Sequence, residues 1–227
     1  MRKITKQEIE KGLANDAWDL GNQVLYDLCS QHPLHKSHQE IIAKVWLIGR
    51  SYAAALERRK NKSSDSIGDL FYEDKVVSKI RDSEIDDWFA QLKAEPAPET
   101  VIAERAIEIH AKLKGLFYEI TELEKRSLAS KYLHFHRPDL FFIYDSRSVA
   151  AIRIITPGTK RELPSLSPKE SDKAYAGFYR RCLWLKNNLE AQLGYKPSPR
   201  QIDKILLHIA DRKNEQEILE MDAVARA

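Results

Sequence analysis

At 227 residues the chain is long enough to bury a substantial core, as one large domain or as two interlocking lobes. With 43% hydrophobic and 31% charged residues it has the composition of an ordinary soluble globular protein, and its net charge of +3 permits a basic nucleic-acid groove without requiring one. No apolar run approaches the roughly 18–20 residues of a membrane span, MRKITKQEIEKG lacks the apolar core of a signal peptide, and Cys29 and Cys182 fit no metal or redox spacing, so a cytoplasmic protein with two reduced, buried thiols, no membrane contact and no cofactor is expected.

The pattern predicts helices almost throughout. Thr5 followed by Glu8 forms a capping box that opens the first helix. DAWDLGNQVLYDLCSQ carries Trp18, Val24, Leu25 and Leu28 at helical spacings and stops before Pro33. The longest helix is expected from Ser37 to Lys60, with Ile41, Val45, Ile48, Tyr52 and Leu56 on one stripe, followed by a loop from Asn61 to Ser66. Helices follow over Gly68–Ile80 and Ser83–Lys93, and AEPAPET, Ala94 to Thr100, is a linker. A helix then runs from Val101 to Lys114, with a break expected at Gly115, and the next covers Leu116 to His136. Pro138 ends it, because proline disfavours helical geometry in the residue before it.

Asp145 starts a helix through about Ile155, and Thr156 to Ser171 is a long loop. The helix at Asp172–Leu193 stops at Gly194, suited to the position after a helix end. A short final helix follows KPSPRQ, with the last dozen residues frayed. LFFIY before Asp145 is apolar enough for a buried strand but has no partner run. The fold class read from this pattern is all-α: one helical domain over 1–227, with lobes of about 1–95 and 96–227.

Two residues invite chemistry. Lys131 shares a helix face with Leu128, Tyr132 and Phe135, and the helix is apolar on other faces too, which marks it as central to its domain. Burial there lowers a lysine's pKa and frees its amine for attack on carbon; the plainer reading is a lysine that pairs with an acid or reaches the surface along its stem. Asp145 reads first as a helix N-cap, a role worth ~1 kcal/mol. A capped carboxylate is also held ionised and aimed, as a base or electrostatic stabiliser requires.

The stretch SKYLHFHRPDLFFIYDSRS, supported by WLIGRSYAAALERR upstream and PRQIDKILLHI near the end, resembles the core of helix–hairpin–helix DNA glycosylases. It is similar in particular to bacterial proteins with the 8-oxoguanine DNA glycosylase fold. The resemblance implies helical lobes around a central pocket and a glycosylase with β-elimination lyase activity on a modified, 8-oxoguanine-like base. Lys131 would be the nucleophile at the deoxyribose C1′, and Asp145 would activate it or stabilise the oxocarbenium-like sugar. Such an enzyme takes its base out of the stack, so a stacking wall is expected, with Phe135, Tyr144, Phe178 and Trp184 as candidates. Modified phage DNA as substrate, a role in antiphage defence and an operon-encoded protein partner are further implications. The chain departs from the family pattern in one place: ELEKRSLASK, where the family's hairpin has phosphate-binding glycines, has none. Arg126, Ser127 and Ser130 are the residues that would replace that contact.

Arg50, with Tyr52 beside it, suits phosphate or base recognition as well as it suits a cation near a helix C-terminus. Arg58, Arg59 and Lys60 read better as cations at a helix C-terminus. Arg147 is placed to meet a phosphate or an internal carboxylate, and His134 shares Lys131's helix. His32, His35 and His38 are evenly spaced but straddle Pro33 with no completing Asp or Cys, so no metal site is expected. Arg200 and Asp203 read as an ion pair one turn apart. Two other classes remain open: a non-catalytic protein on the same scaffold that binds a nucleic acid, a nucleotide or a protein, and an unrelated helical interaction module.

Overall fold

A computed structural model describes the backbone of residues 2–14, 16–58, 70–92, 97–158 and 160–225, with the side chains of all these except 160 and 213–225. Every regular element in the described residues is helical, as the sequence pattern predicts. The helices are α1 (Lys6–Leu13), α2 (Asp19–Gln31), α3 (His38–Ser51), a π-helical segment (Phe71–Val77) running into α4 (Ser78–Arg81), and α5 (Ile85–Gln91). They continue with α6 (Glu99–Thr121), α7 (Arg126–His136), α8 (Ser146–Ile155), a 3₁₀ turn (Lys160–Glu162), α9 (Lys173–Leu193) and α10 (Pro199–Ala225). No described helix is long and apolar enough to cross a membrane.

The chain divides into two compact units. One gathers Met1–Asp16, Phe142–Ser165 and Gly177–Ala227; the other gathers Ala17–Phe141 and Leu166–Ala176. In the first, α10 packs against α1 and α8. The Thr5–Glu8 capping box is present: Glu8 N–H donates to Thr5 Oγ1 and Thr5 N–H donates to Glu8 Oε2 at 2.9 Å. A Cβ built on Gly12 would lie 2.8 Å from Ile205 Cα, so α1 and α10 touch through backbone at this point. Replacing Gly12 by alanine is therefore expected to force the helices apart and lower stability by about 1–3 kcal/mol. A urea midpoint that falls with an unchanged slope is the measurement that checks it.

The second unit is built around α7. Leu128 to Phe135 are eight successive buried residues, and α2, α3 and α6 all pack against this helix. A helix apolar around most of its circumference belongs inside a domain, and that is what places Lys131 out of water.

Several elements differ from the sequence reading. The longest early helix ends at Ser51, because Ala53 takes a left-handed conformation (φ 51°) and Ala54 N–H bonds back to Gly49 at 2.8 Å. The returning chain crosses so close that a Cβ on Gly49 would be 3.3 Å from Ala55 Cα. Tyr52 and Leu56 therefore leave the helical stripe, although Leu56 is still buried. On α2 the buried face is Asn22, Leu25 and Cys29, while Trp18 and Val24 face solvent. α6 runs through Gly115; a helical glycine costs roughly 1 kcal/mol, and buried Leu113, Leu116 and Phe117 hold the helix across it. The break falls at Glu122, which is left-handed (φ 59°). The final helix spans 27 residues and is not short. Residues 61–66, Ala94 to Pro96 of the linker, and Arg59 and Lys60 lie outside the described residues. LFFIY forms no strand: Phe141, Phe142 and Ile143 are buried as irregular chain between α7 and α8.

Candidate functional site

Lys131 is 3% exposed. Its Nζ donates to Ser127 Oγ at 2.8 Å and approaches the Tyr52 carbonyl at 3.5 Å. It also lies 5.4 Å from the centre of the Tyr52 ring, within the range of a cation–π contact. Ser127 stands one turn earlier on α7, so its hydroxyl reaches the amine through helical spacing alone. Tyr52 comes from the left-handed turn after α3, a position no local pattern specified. Its ring packs edge-on against Phe135, and Phe135 in turn meets Tyr26 of α2.

His134 joins the same cluster. Its Nδ1 donates to the Phe141 carbonyl at 2.8 Å, which in the neutral ring leaves Nε2 to accept the Tyr26 hydroxyl at 2.6 Å. The structure thus brings Tyr52, Ser127, Lys131, His134 and Phe135 into one polar and aromatic cluster, and adds Asn22 and Tyr26, which sequence reasoning passed over. Both additions lie on α2 with no charge or motif to mark them.

The turn into α7 is anchored by its cations. Lys125 Nζ donates to the carbonyls of Ala55 (2.8 Å) and Arg58, and burial brings its pKa down to about 8, with Glu57 opposing and Arg58 assisting. Arg126 grips Asp172 through Nε at 2.6 Å and Nη2 at 2.8 Å. Lys114 adds a third cationic contact at 3.2 Å, and the same carboxylate caps α9 by accepting Tyr175 N–H at 2.9 Å. Burial works to raise the Asp172 pKa, but the Arg126 bonds, the Tyr175 amide and Lys114 hold it well below the usual carboxylate range. Ser130 is fully buried and its hydroxyl donates to the Ser127 carbonyl. Exchange of Asp172 for alanine would remove the carboxylate that Arg126 grips and uncap α9, and is expected to cost about 2–4 kcal/mol in a denaturation experiment.

A second buried network went unread in the sequence. His35 donates from Nδ1 to Asp86 at 2.6 Å and accepts the Tyr132 hydroxyl at Nε2, 2.8 Å away. Fully buried Lys44 donates to the carbonyls of His32 (2.9 Å) and Leu34 (2.7 Å). Burial lowers the Lys44 pKa, brings His35 down to about 4 with help from Lys44, and pushes Cys29 up to about 12. Both cysteines are free and buried.

The remaining candidates stand elsewhere. Arg50 is exposed, paired with Glu57 at 2.6 Å and laid over Trp46. In the other unit, Asp145 caps α8, its Oδ1 accepting Arg147 N–H at 2.9 Å. The Arg147 guanidinium pairs with Asp211 at 2.5 Å. Tyr144 and Phe178 meet edge to face at 5.3 Å, and Trp184 is half-buried on α9. Arg200 and Asp203 pair at 2.8 Å, and Asp203 also accepts the Ser148 hydroxyl. A surface groove of about 600 Å³, lined by Trp88, Lys112, Gly115 and Glu119 among others, contains none of the sequence-predicted residues. Among the described residues no group of three or more His, Cys, Asp or Glu side chains converges on a metal-sized site.

No family model, curated protein or solved structure matches the chain.

Proposed function

We propose that the chain is a DNA glycosylase with β-elimination lyase activity, acting on a modified base with Lys131 as nucleophile. The observation that carries the reading is the Lys131 amine, buried on the innermost helix of its unit and oriented by the Ser127 hydroxyl and the Tyr52 ring. The uncharged amine is the form that attacks carbon. In this reading the amine bonds to C1′ as the glycosidic bond breaks and its electron pair leaves with the base. Ring opening gives a Schiff base, and loss of the C2′ proton expels the 3′ phosphate. Asp145 takes the part the resemblance gives it, a fixed carboxylate that offsets positive charge on the sugar. Tyr52 and Phe135, which lie in the same unit as Lys131, are the aromatic candidates for the extruded base, and modified DNA, phage DNA included, is the substrate class. Borohydride trapping on oligonucleotides bearing an abasic site or 8-oxoguanine tests it; a covalent adduct lost in Lys131→Gln is the expected result.

One observation favours a second reading, a non-catalytic protein of this scaffold that binds a nucleic acid, a nucleotide or a protein partner. Arg126 is committed to Asp172, Ser130 is buried, and Ser127 accepts from Lys131. The residues offered as substitutes for the hairpin glycines are thus engaged internally. DNA binding without any adduct is the outcome that selects this reading.

A further inference from the structure

Asn22 lies on α2, 7% exposed, one helical turn before Tyr26. The Tyr52 hydroxyl donates to its Oδ1 at 2.6 Å. That separation suits O–H···O and is short for an amide N–H···O, so the bond fixes which end of the amide faces Tyr52. The other end, Nδ2, is buried and has no hydrogen-bond partner. Buried amide donors are nearly always paired, and an unpaired one costs stability that an apolar side chain would not. The Tyr52 ring that orients this amide also carries the Lys131 amine against its face and packs on Phe135. The unpaired donor, the aromatic ring and the amine are therefore linked through one side chain.

We propose that Asn22 is a base-reading residue: its Nδ2 donates to a carbonyl oxygen or an unprotonated ring nitrogen of the base whose sugar Lys131 attacks. The proposal rests on the glycosylase reading and specifies its substrate. A base presenting an acceptor at that edge pairs with Nδ2, whereas a base presenting an amino group there sets donor against donor and leaves both unpaired. Sites built this way reject the wrong hydrogen-bonding pattern far more strongly than apolar pockets reject a wrong shape. In the unliganded chain Nδ2 is closed off from solvent, so the acceptor reaches it as the covering side chains shift on binding. Tyr52 has a positioning role, because its hydroxyl decides which end of the amide is presented.

The test uses the full chain with Asn22→Leu, similar in volume, Asn22→Asp, which replaces the donor by an acceptor, and Tyr52→Phe, which removes only the orienting hydroxyl. Borohydride trapping is measured on paired oligonucleotides, one carrying 8-oxoguanine and one an abasic site, in single- and double-stranded form. An abasic site has no base to read, so the ratio of the two yields isolates recognition. The expected result is a fall in that ratio of about 100-fold or more in both Asn22 variants and a smaller fall in Tyr52→Phe. An unchanged ratio in both Asn22 variants would overturn the inference and leave the glycosylase reading standing. Equal losses on both substrates, which leave the ratio unchanged, would also overturn it by making Asn22 structural. If the parent chain traps neither substrate, the glycosylase reading fails and the inference fails with it.

Discussion

On the proposed glycosylase reading, the borohydride-trapped adduct on abasic DNA is expected to disappear in the Lys131→Gln variant and strand cleavage to fall about 10³-fold or more, since a covalent route without its nucleophile leaves only binding and electrostatics. The melting temperature of the variant is the companion measurement. The two measurements together separate chemistry from folding. An adduct that persists would transfer the nucleophile to another amine. Lys125 is the first to examine, because it precedes α7 by one residue and burial has already brought its pKa to about 8. A Lys125→Gln variant decides between them.

The second large effect is on stability in acid. Burial brings His35 down to about 4 and His110 to about 3, and it holds His136 well below the ordinary histidine range. His35 does sit 2.6 Å from Asp86, which works to raise its pKa, but burial and the nearby Lys44 outweigh that attraction. In the unfolded chain each imidazole titrates near 6.5. Between about pH 6.5 and pH 4 the unfolded chain therefore binds protons that the folded chain refuses, and stability must fall as the pH falls. His35 alone accounts for about 3 kcal/mol over that window, and His110 extends the loss toward pH 3. Asp172 adds to it below the ordinary carboxylate pKa, because its folded-state value is depressed. Melting temperatures measured from pH 7.5 to 4 should drop steadily across the histidine window, and a flat profile would refute the assignment. His110 stacks on Tyr175 with centroids 3.6 Å apart, so His110→Phe keeps the stack. It should remove close to one proton's worth of slope, about 1.4 kcal/mol per pH unit.

Local signals located the helices well wherever the decisive residues are neighbours. The Thr5–Glu8 capping box, the Asp145 N-cap, the stop before Pro138 and the end of α9 before Gly194 all act through backbone groups within a few positions. Boundaries were misjudged where a tertiary contact overrides local preference. Nothing in AAALERR marks Ala53 as left-handed; the α3 helix stops there because the chain must turn back across Gly49. Gly115 looked like a break and is not one, since buried neighbours on both sides carry α6 through it.

The candidate site divides along the same line. The sequence placed Lys131 on a helix apolar on several faces but left open whether its amine stays inside or reaches the surface, and it marked Asp145 as a cap because a carboxylate before an apolar helical run has a local use for its oxygens. It had no means of pairing Arg126 with Asp172, His35 with Asp86 and Tyr132, or Tyr52 with Asn22, which stand 46, 51, 97 and 30 residues apart. Periodicity and capping are written into short stretches because they depend on a helix's own geometry. The partner of a buried polar group depends on how distant helices pack, so the all-helical class and the capped aspartate belong to the sequence by itself. The bonds that satisfy Asp172 and His35, and the unpaired amide of Asn22, were decided only by the tertiary structure.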